Sequence, residues 1–178
     1  MPFEGLHMTL PYTLLLIAIC LWVFIQWKPD SASRWGLGLE RKRSGLVLKS
    51  QAIAGFDIPY LEGGQGEVLV LVHGFGGDKD NFTRMARFLT PHFRVIQPDL
   101  PGFGDSSKPY ASYDVGTQVE RLAAFTQALQ IKKLHLIGSS MGGAAVGWLV
   151  RLGLVGAAVA GAFVGVGLTL ALARGAAR

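Results

Sequence analysis

The stretch Lys132 to Gly153, KKLHLIGSSMGGAAVGWLVRLG, constrains the chain most tightly. Leu134, Leu136 and Ile137 form a short apolar run that reads as a buried parallel strand. It leads straight into Gly138-Ser139-Ser140-Met141-Gly142, a G-x-S-x-G pentapeptide. The small residues Gly142, Gly143, Ala144 and Ala145 permit a helix to begin in tight contact behind the turn. A strand that turns this sharply into a helix lifts the middle serine clear of the carboxyl edge of a sheet. It also aims the amide of the next residue, Met141, at the place where negative charge would form on a reacting oxygen. Ser140 is therefore a candidate nucleophile, and the pattern raises the question of its base and acid.

The two ends of the 178-residue chain are apolar and frame a shorter middle. Thr9 to Trp27 is a stretch of 19 residues without a charge, and such a length crosses most of a hydrocarbon core of about 30 Å. We read it as a transmembrane anchor and not as a cleaved signal, because the preceding MPFEGLHM carries no Lys or Arg and no A-x-A-like site follows. Pro11 is expected in the first helical turn, where it costs little. Lys28, Arg34, Arg41, Lys42 and Arg43 follow the span, so the positive-inside rule puts the domain that follows on the cytoplasmic side. The net charge of +5 is thus read as a membrane flank. With no interleaved aromatic platform, nucleic acid is not expected as a partner. Cys20, the one cysteine, lies inside the span, so no disulfide framework and no cysteine metal site are expected.

In the middle, LVLK and FDIPYLE read as two short strands and EVLVLV as a strand buried on both faces. The last ends in His73-Gly74-Phe75-Gly76-Gly77. Asn81 to Leu89 fits a short helix, FRVIQPD a further strand, and the glycine-bearing loop DLPGFGDSSKP follows it. Tyr113 to Leu129 has apolar residues at helical spacing, with Ser112 or Asp114 placed to cap it. The order of strand, strand, strand, helix, strand, helix, strand and elbow argues for an α/β class, a mostly parallel sheet wound with crossovers.

The three motifs HGFGG, DLPGFGDSS and GSSMGG, each after a strand-like run, together resemble the α/β-hydrolase fold. With the N-terminal anchor, the chain looks most like membrane-anchored esterases of the monoacylglycerol lipase-like type. The resemblance covers about residues 45 to 143, the N-terminal half of such a domain. It implies Ser140 as nucleophile and the backbone amides of Phe75 and Met141 as oxyanion-hole donors. It also implies His73 as a structural histidine of the oxyanion loop, and Asp99 to Ser106 as a loop bordering the active-site mouth. Gly74, Gly76, Gly102, Gly104, Gly138 and Gly142 are read as serving loop geometry. Asp99, at a strand end, is either the acid or a structural hydrogen-bonding group, and the structural role is favoured. His135 reads as a sheet side chain and His92 as loop.

A serine hydroxyl needs a positioned base, and the base needs a carboxylate. In this fold they follow the serine in the order Asp or Glu, then His. After Ser140 the sequence contains no Asp, Glu or His. Of the 35 residues from Ala144 to Arg178, 32 are Ala, Gly, Val, Leu or Arg, a low-complexity tail that departs from the family. One reading is a second membrane helix over Leu152 to Ala173, with Gly153, Ala157, Gly161 and Gly165 four apart. The favoured reading is an interrupted reading frame, since all five dominant residue types have GC-rich codons. It would leave Leu134 to Ile137 as an exposed apolar edge.

The expected organisation is an anchor over 1–28, a basic linker over 29–44, the hydrolase half over 45–143 and the tail over 144–178. The expected function is a serine hydrolase of carboxylic esters, lipase- or esterase-like with acylglycerol-type substrates, here an inactive fragment. Its partners would be membrane lipid and a small-molecule ester, with no cofactor and no metal. The alternatives are a noncatalytic membrane or interaction protein, or another activity of the fold such as a carbon–carbon bond hydrolase, thioesterase or peptidase. An aspartate-nucleophile dehalogenase or epoxide hydrolase is disfavoured by Ser140.

Overall fold

The computed structural model describes residues 4–53, 55–151, 153, 160–164 and 167–171. The chain divides into two compact units, Met1–Leu39 and Glu40–Arg178.

The first unit is helical. Helix α1 runs Glu4–Trp27, so Pro11 lies inside it and not in its first turn as the sequence suggested. There it removes one backbone hydrogen bond to the preceding turn. From Tyr12 to Trp27 its large apolar side chains are exposed. A helix does cover residues 9–27 as expected. Among the described residues, however, no single helix is long and apolar enough to cross a membrane. Pro11–Trp27 and Pro29–Arg43 pass that test only as a pair, bent by 111° at the break between them.

The expected basic linker is instead helix α2, Pro29–Arg43. Pro29 stands at its first position, Asp30 in its first turn and Arg41, Lys42 and Arg43 in its last. Proline there loses no intrahelical bond, and the charges complement the helix dipole at both ends. Gly36 and Gly38 obscured this in the sequence by lowering helix propensity.

The second unit is a sheet with helices on both faces. Its strands are β1 (Val47–Ile53), β2 (Phe56–Gly63), β3 (Glu67–Val72), β4 (Phe93–Pro98), β5 (Leu134–Ser139), β6 (Ala160–Val164) and β7 (Gly167–Ala171), in spatial order β1-β2-β4-β3-β5-β6-β7. Pairing is antiparallel for β1–β2, β2–β4 and β6–β7, and parallel for β3–β4, β3–β5 and β5–β6. The helices are α3 (Thr83–Leu89), α4 (Val115–Ala128) and α5 (Met141–Arg151). Asp114 caps α4, its side chain accepting from the Thr117 amide at 2.9 Å. Hydrogen bonds from Ser112 and then Thr117 hold the Asp114 carboxyl far below the usual range.

The tail changes one expectation. Leu136 to Ser139 of β5 pair in parallel with Ala160 to Phe163 of β6, so β5 is not left as a sheet edge. Residues 160–164 and 167–171 are strands, not parts of a helix over 152 to 173. An open parallel edge offers unpaired amides and carbonyls that demand partners. The other residues of the tail beyond Gly153 lie outside the described residues.

Alternation along the central strands builds two cores. Val70 and Val72 of β3, Ile96 of β4 and Leu134 and Leu136 of β5 pack with Val119, Leu122 and Phe125 of α4 and Val146 and Leu149 of α5. Leu69, Leu71, Leu61 and Val95 form the second cluster, with Ala86 of α3 and Leu46. Phe125 is nearly fully buried and meets Tyr60 edge to face, ring centroids 5.4 Å apart. Phe125→Ala should therefore cost about 3–5 kcal/mol, the usual range for truncating a buried phenylalanine. Urea denaturation would measure it, and an unchanged midpoint would mean that α4 does not close this core.

Candidate active site

The central strands carry the candidate residues to one edge of the sheet. β5 ends at Ser139, α5 starts at Met141, and Ser140 sits alone between them with φ of 50°. For a residue with a Cβ, that left-handed conformation costs roughly 1–2 kcal/mol. Close packing on both sides holds it. A Cβ on Gly138 would lie 2.4 Å from the Gly142 carbonyl, and one on Gly142 would lie 2.3 Å from the His73 carbonyl oxygen. The two pentapeptide glycines thus let α5 start directly against the ends of β5 and β3. As α5 begins at Met141, the amide of that residue is among the first four, which have no intrahelical acceptor.

The loop after β3 packs against this elbow. A Cβ on Gly74 would meet the Ser139 carbonyl oxygen at 3.0 Å and the Ser140 Cβ at 3.1 Å. Gly76 follows with φ of 70°, and the Gly77 amide donates to the Gly74 carbonyl at 3.1 Å. Phe75, at the turn, is 82 % exposed and stacks edge to face on Phe103, which in turn meets the His73 ring.

His73 is 1 % exposed. Its Nε2 accepts from the Leu100 amide at 3.0 Å, and its Nδ1 lies 2.7 Å from the Gly74 carbonyl oxygen. The Leu100 N–H can only donate, so Nε2 carries the lone pair and Nδ1 carries the proton. Both ring nitrogens are then committed, and neither is available to take a proton from Ser140. Burial holds the imidazole below its usual pKa, against the opposing hydrogen bond to Gly74.

Asp99 is fully buried, and its carboxylate accepts from the Lys79 amide at 2.6 Å, Lys79 Nζ at 2.8 Å and the Asp105 amide at 2.8 Å. Gly104, at φ of 51°, packs so closely that a Cβ there would lie 2.3 Å from the same carboxylate. A carboxylate so enclosed holds its own loop together. Lys79 also reaches Asp105 at 2.6 Å. Burial pulls its ammonium down, but the hydrogen bonds to Asp105 and Asp99 outweigh this and leave it raised. Gly102, with φ of 89°, lies against the Tyr113 ring. The Asp99–Ser106 loop is tied to β2 by the Ser106 hydroxyl donating to the Asp57 carbonyl at 3.1 Å, and to α4 by Gln118 Nε2 donating to the Pro101 carbonyl at 2.8 Å.

His135 lies on β5 with its Nε2 2.8 Å from Glu67, and His92 precedes β4. Among the described residues, no group of His, Cys, Asp or Glu is arranged to hold a metal ion. The sequence reading missed Lys79 and the bidentate pair from Arg41 to Asp80, Nε to Oδ1 at 2.7 Å and Nη2 to Oδ2 at 2.5 Å. The signal was the run Asp78-Lys79-Asp80 directly behind a glycine turn, since alternating charge at such a place calls for partners.

The Abhydrolase_1 family model, alpha/beta hydrolase fold, matches residues 67–152. Lipase 1 of Psychrobacter immobilis is 49% identical over 110 residues, covering 59% of this chain and 34% of that protein. Lipase 3 of Moraxella sp. (strain TA144) is 47% identical over 110 residues, with 59% and 35% covered. A solved membrane phospholipase A, described as a bacterial virulence factor, superposes with a TM-score of 0.68 at 42% identity, covering 86% of this chain and 51% of that one. The chain thus spans about a third of the length of these two curated lipases.

The neutral, buried state of His73 has a measurable consequence. Its folded-state pKa lies below the unfolded value of about 6.5. Between the two values the unfolded chain binds a proton that the folded chain does not. The stability from the neutral ring is complete above about pH 6.5 and declines as pH falls through that window, by at most about 1.4 kcal/mol per pH unit. Urea midpoints taken from pH 7.5 to 5.5 should fall, with a shallower slope in His73→Gln; equal slopes would contradict the assignment. With a strand and glycine loop, then a strand, elbow and helix in this order, residues 67–152 match the alpha/beta hydrolase fold, and lipases are among the chain's homologues.

Proposed function

We propose that this chain carries the nucleophile half of a serine hydrolase of carboxylic esters, with acylglycerol-type lipids as the favoured substrates. The observation that carries the reading is Ser140 at φ of 50° on the strand-to-helix junction, with Gly74 of the neighbouring loop packed on its Cβ. A serine held in that strained position stands clear of the sheet edge. In this proposal Ser140 Oγ attacks the ester carbonyl, and the amides of Phe75 and Met141 receive the charge on the carbonyl oxygen. His73 holds the loop that presents Phe75. Asp99, Gly102 and Gly104 shape the second loop, while Gly138 and Gly142 permit the elbow. The similarity to two lipases and a phospholipase supports an ester of lipid character.

We further infer that the chain as it stands is catalytically incomplete. The attacking hydroxyl must lose a proton, and His73 has both ring nitrogens engaged. No Asp, Glu or His follows Ser140 in the sequence. Loss of a triad member leaves about 10³ to 10⁴ over the uncatalysed rate in intact enzymes. The 178-residue chain should therefore hydrolyse p-nitrophenyl esters near background, label poorly with a fluorophosphonate, and behave like its Ser140→Ala and His73→Ala variants. Turnover near about 1 s⁻¹, the low end for genuine enzymes, that is lost on Ser140→Ala would show that a base exists.

The membrane is the proposed location, with α1 as the anchor and the domain that follows on the cytoplasmic side. The support is the uncharged stretch Thr9–Trp27, its one-sided basic flank and the similarity to a membrane phospholipase A. A carbonate wash should leave the protein in the membrane fraction with its N-terminus intact. A soluble chain beginning after Trp27 would overturn this reading.

A further inference from the structure

Helices α1 and α2 form a bent pair whose second arm differs from its first. Over residues 14–25 helix α1 is apolar on all sides, but α2 sorts its residues. Trp35, Leu39 and Lys42 follow one another at spacings of four and three, with Arg43 four beyond Leu39, so they share one side of the helix. Trp35 is 66 % exposed and Leu39 36 %, and Lys42 and Arg43 are exposed beside them. Lys28, also exposed, stands at the break between the helices. The carboxylates of this segment are Asp30, in the first turn of α2, and Glu40, 3.6 Å from Arg43, while Arg41 is committed to Asp80. The cations of the stripe therefore outnumber its anions. Between α1 and α2 lies an apolar cleft of about 510 Å³, lined by Leu21, Phe24 and Ile25 from α1 and Ala32 and Trp35 from α2.

We propose that α2 is an interfacial arm that docks on an anionic bilayer surface. This rests on the membrane reading of α1 given above. With α1 in the hydrocarbon, a bend of 111° turns α2 nearly parallel to the membrane plane. Trp35 and Leu39 then sit at headgroup level, where an amphipathic indole is favoured, and acyl chains fill the cleft. Lys28, Lys42 and Arg43 bury their stems along the apolar stripe and place their charges at lipid phosphates. Each cation near an anionic surface strengthens such docking about fivefold, so three together weigh about a hundredfold. The occupant is an anionic bilayer, chosen by charge complementarity, since the segment carries a net positive charge that a zwitterionic surface, with no net charge, does not match.

The test uses the full chain, with Cys20→Ser as background, reconstituted into vesicles of phosphatidylcholine alone or with phosphatidylglycerol. An environment-sensitive label is placed by I17C or by W35C, and lipids with shallow or deep quenchers report depth. The expected result is deep quenching of the I17C label in both vesicles. The W35C label should show shallow quenching with phosphatidylglycerol, lost in the triple variant K28Q/K42Q/R43Q and in high salt. A W35C label that stays in water while the I17C label is quenched overturns the arm but leaves the anchor standing. Absence of quenching at both positions overturns the anchor as well. Equal shallow quenching in both vesicles, unmoved by the triple variant, overturns the anionic docking.

Discussion

The imidazole of His73 ties together the parts on which the candidate site depends. It lies just beyond β3, accepts from the Leu100 amide beyond β4, and donates to the Gly74 carbonyl of its own loop. Neighbouring parallel strands end in loops that have no ladder bonds of their own, and buried amides there must find partners. One neutral ring supplies a donor and an acceptor at once, which neither a lysine nor a carboxylate can do. The Lys79–Asp99 pair repeats the connection a few residues on. Burying one of these charges alone would be strongly unfavourable, but together with the two amides that Asp99 accepts they form a satisfied group. The loop that follows β3 and the loop that follows β4 are therefore held by each other.

Strain at Ser140 is sustained by that same arrangement. A left-handed serine on an isolated turn would relax, since a conformational penalty of about 1–3 kcal/mol exceeds what a surface turn retains. Here the escape routes are closed by backbone. Gly142 lies against the Val72 and His73 carbonyls, Gly138 against the first turn of α5, and Gly74 against the serine itself. Larger residues at these positions would force the strands apart. The strain is thus stored by close approach of three backbone segments, with Gly74 against the Ser140 Cβ.

Much of the second unit could be read from the sequence because its signals are local. The continuous run Val68–Val72 gave a strand buried on both faces, and the spacing of Val119 and Leu122 gave the inward face of α4. Asp114 was one of two capping candidates, and the helix uses it. The elbow was legible because its chemistry needs glycines at fixed offsets. What stayed hidden depends on distant partners. The pairing of Arg41 with Asp80 joins residues 39 apart in sequence, and nothing near Lys79 says that it will be buried between two carboxylates. The helical character of 29–43 was masked by Gly36 and Gly38, although Pro29 and the terminal charges signalled it. In the low-complexity tail, the small residues four apart pointed to a helix, but residues 160–164 instead pair as a strand with the open side of β5.

The division of labour between histidines follows from this geometry. A base must offer a free lone pair to the serine and must be able to hold a proton during the reaction. His73 can do neither, because its lone pair takes the Leu100 amide and burial disfavours its charged form. The feature that makes it a good brace therefore disqualifies it as a base. His135 is on β5 in contact with Glu67, whose carboxylate it holds below the usual range, and that pair lies at the opposite end of β3 from the loop bearing Phe75. Under the proposed reading of Ser140, pre-organising the nucleophile and activating it are separate tasks. The first can be encoded by a few local glycines and one buried ring, whereas the second needs a histidine free of structural duty, delivered from another segment of chain.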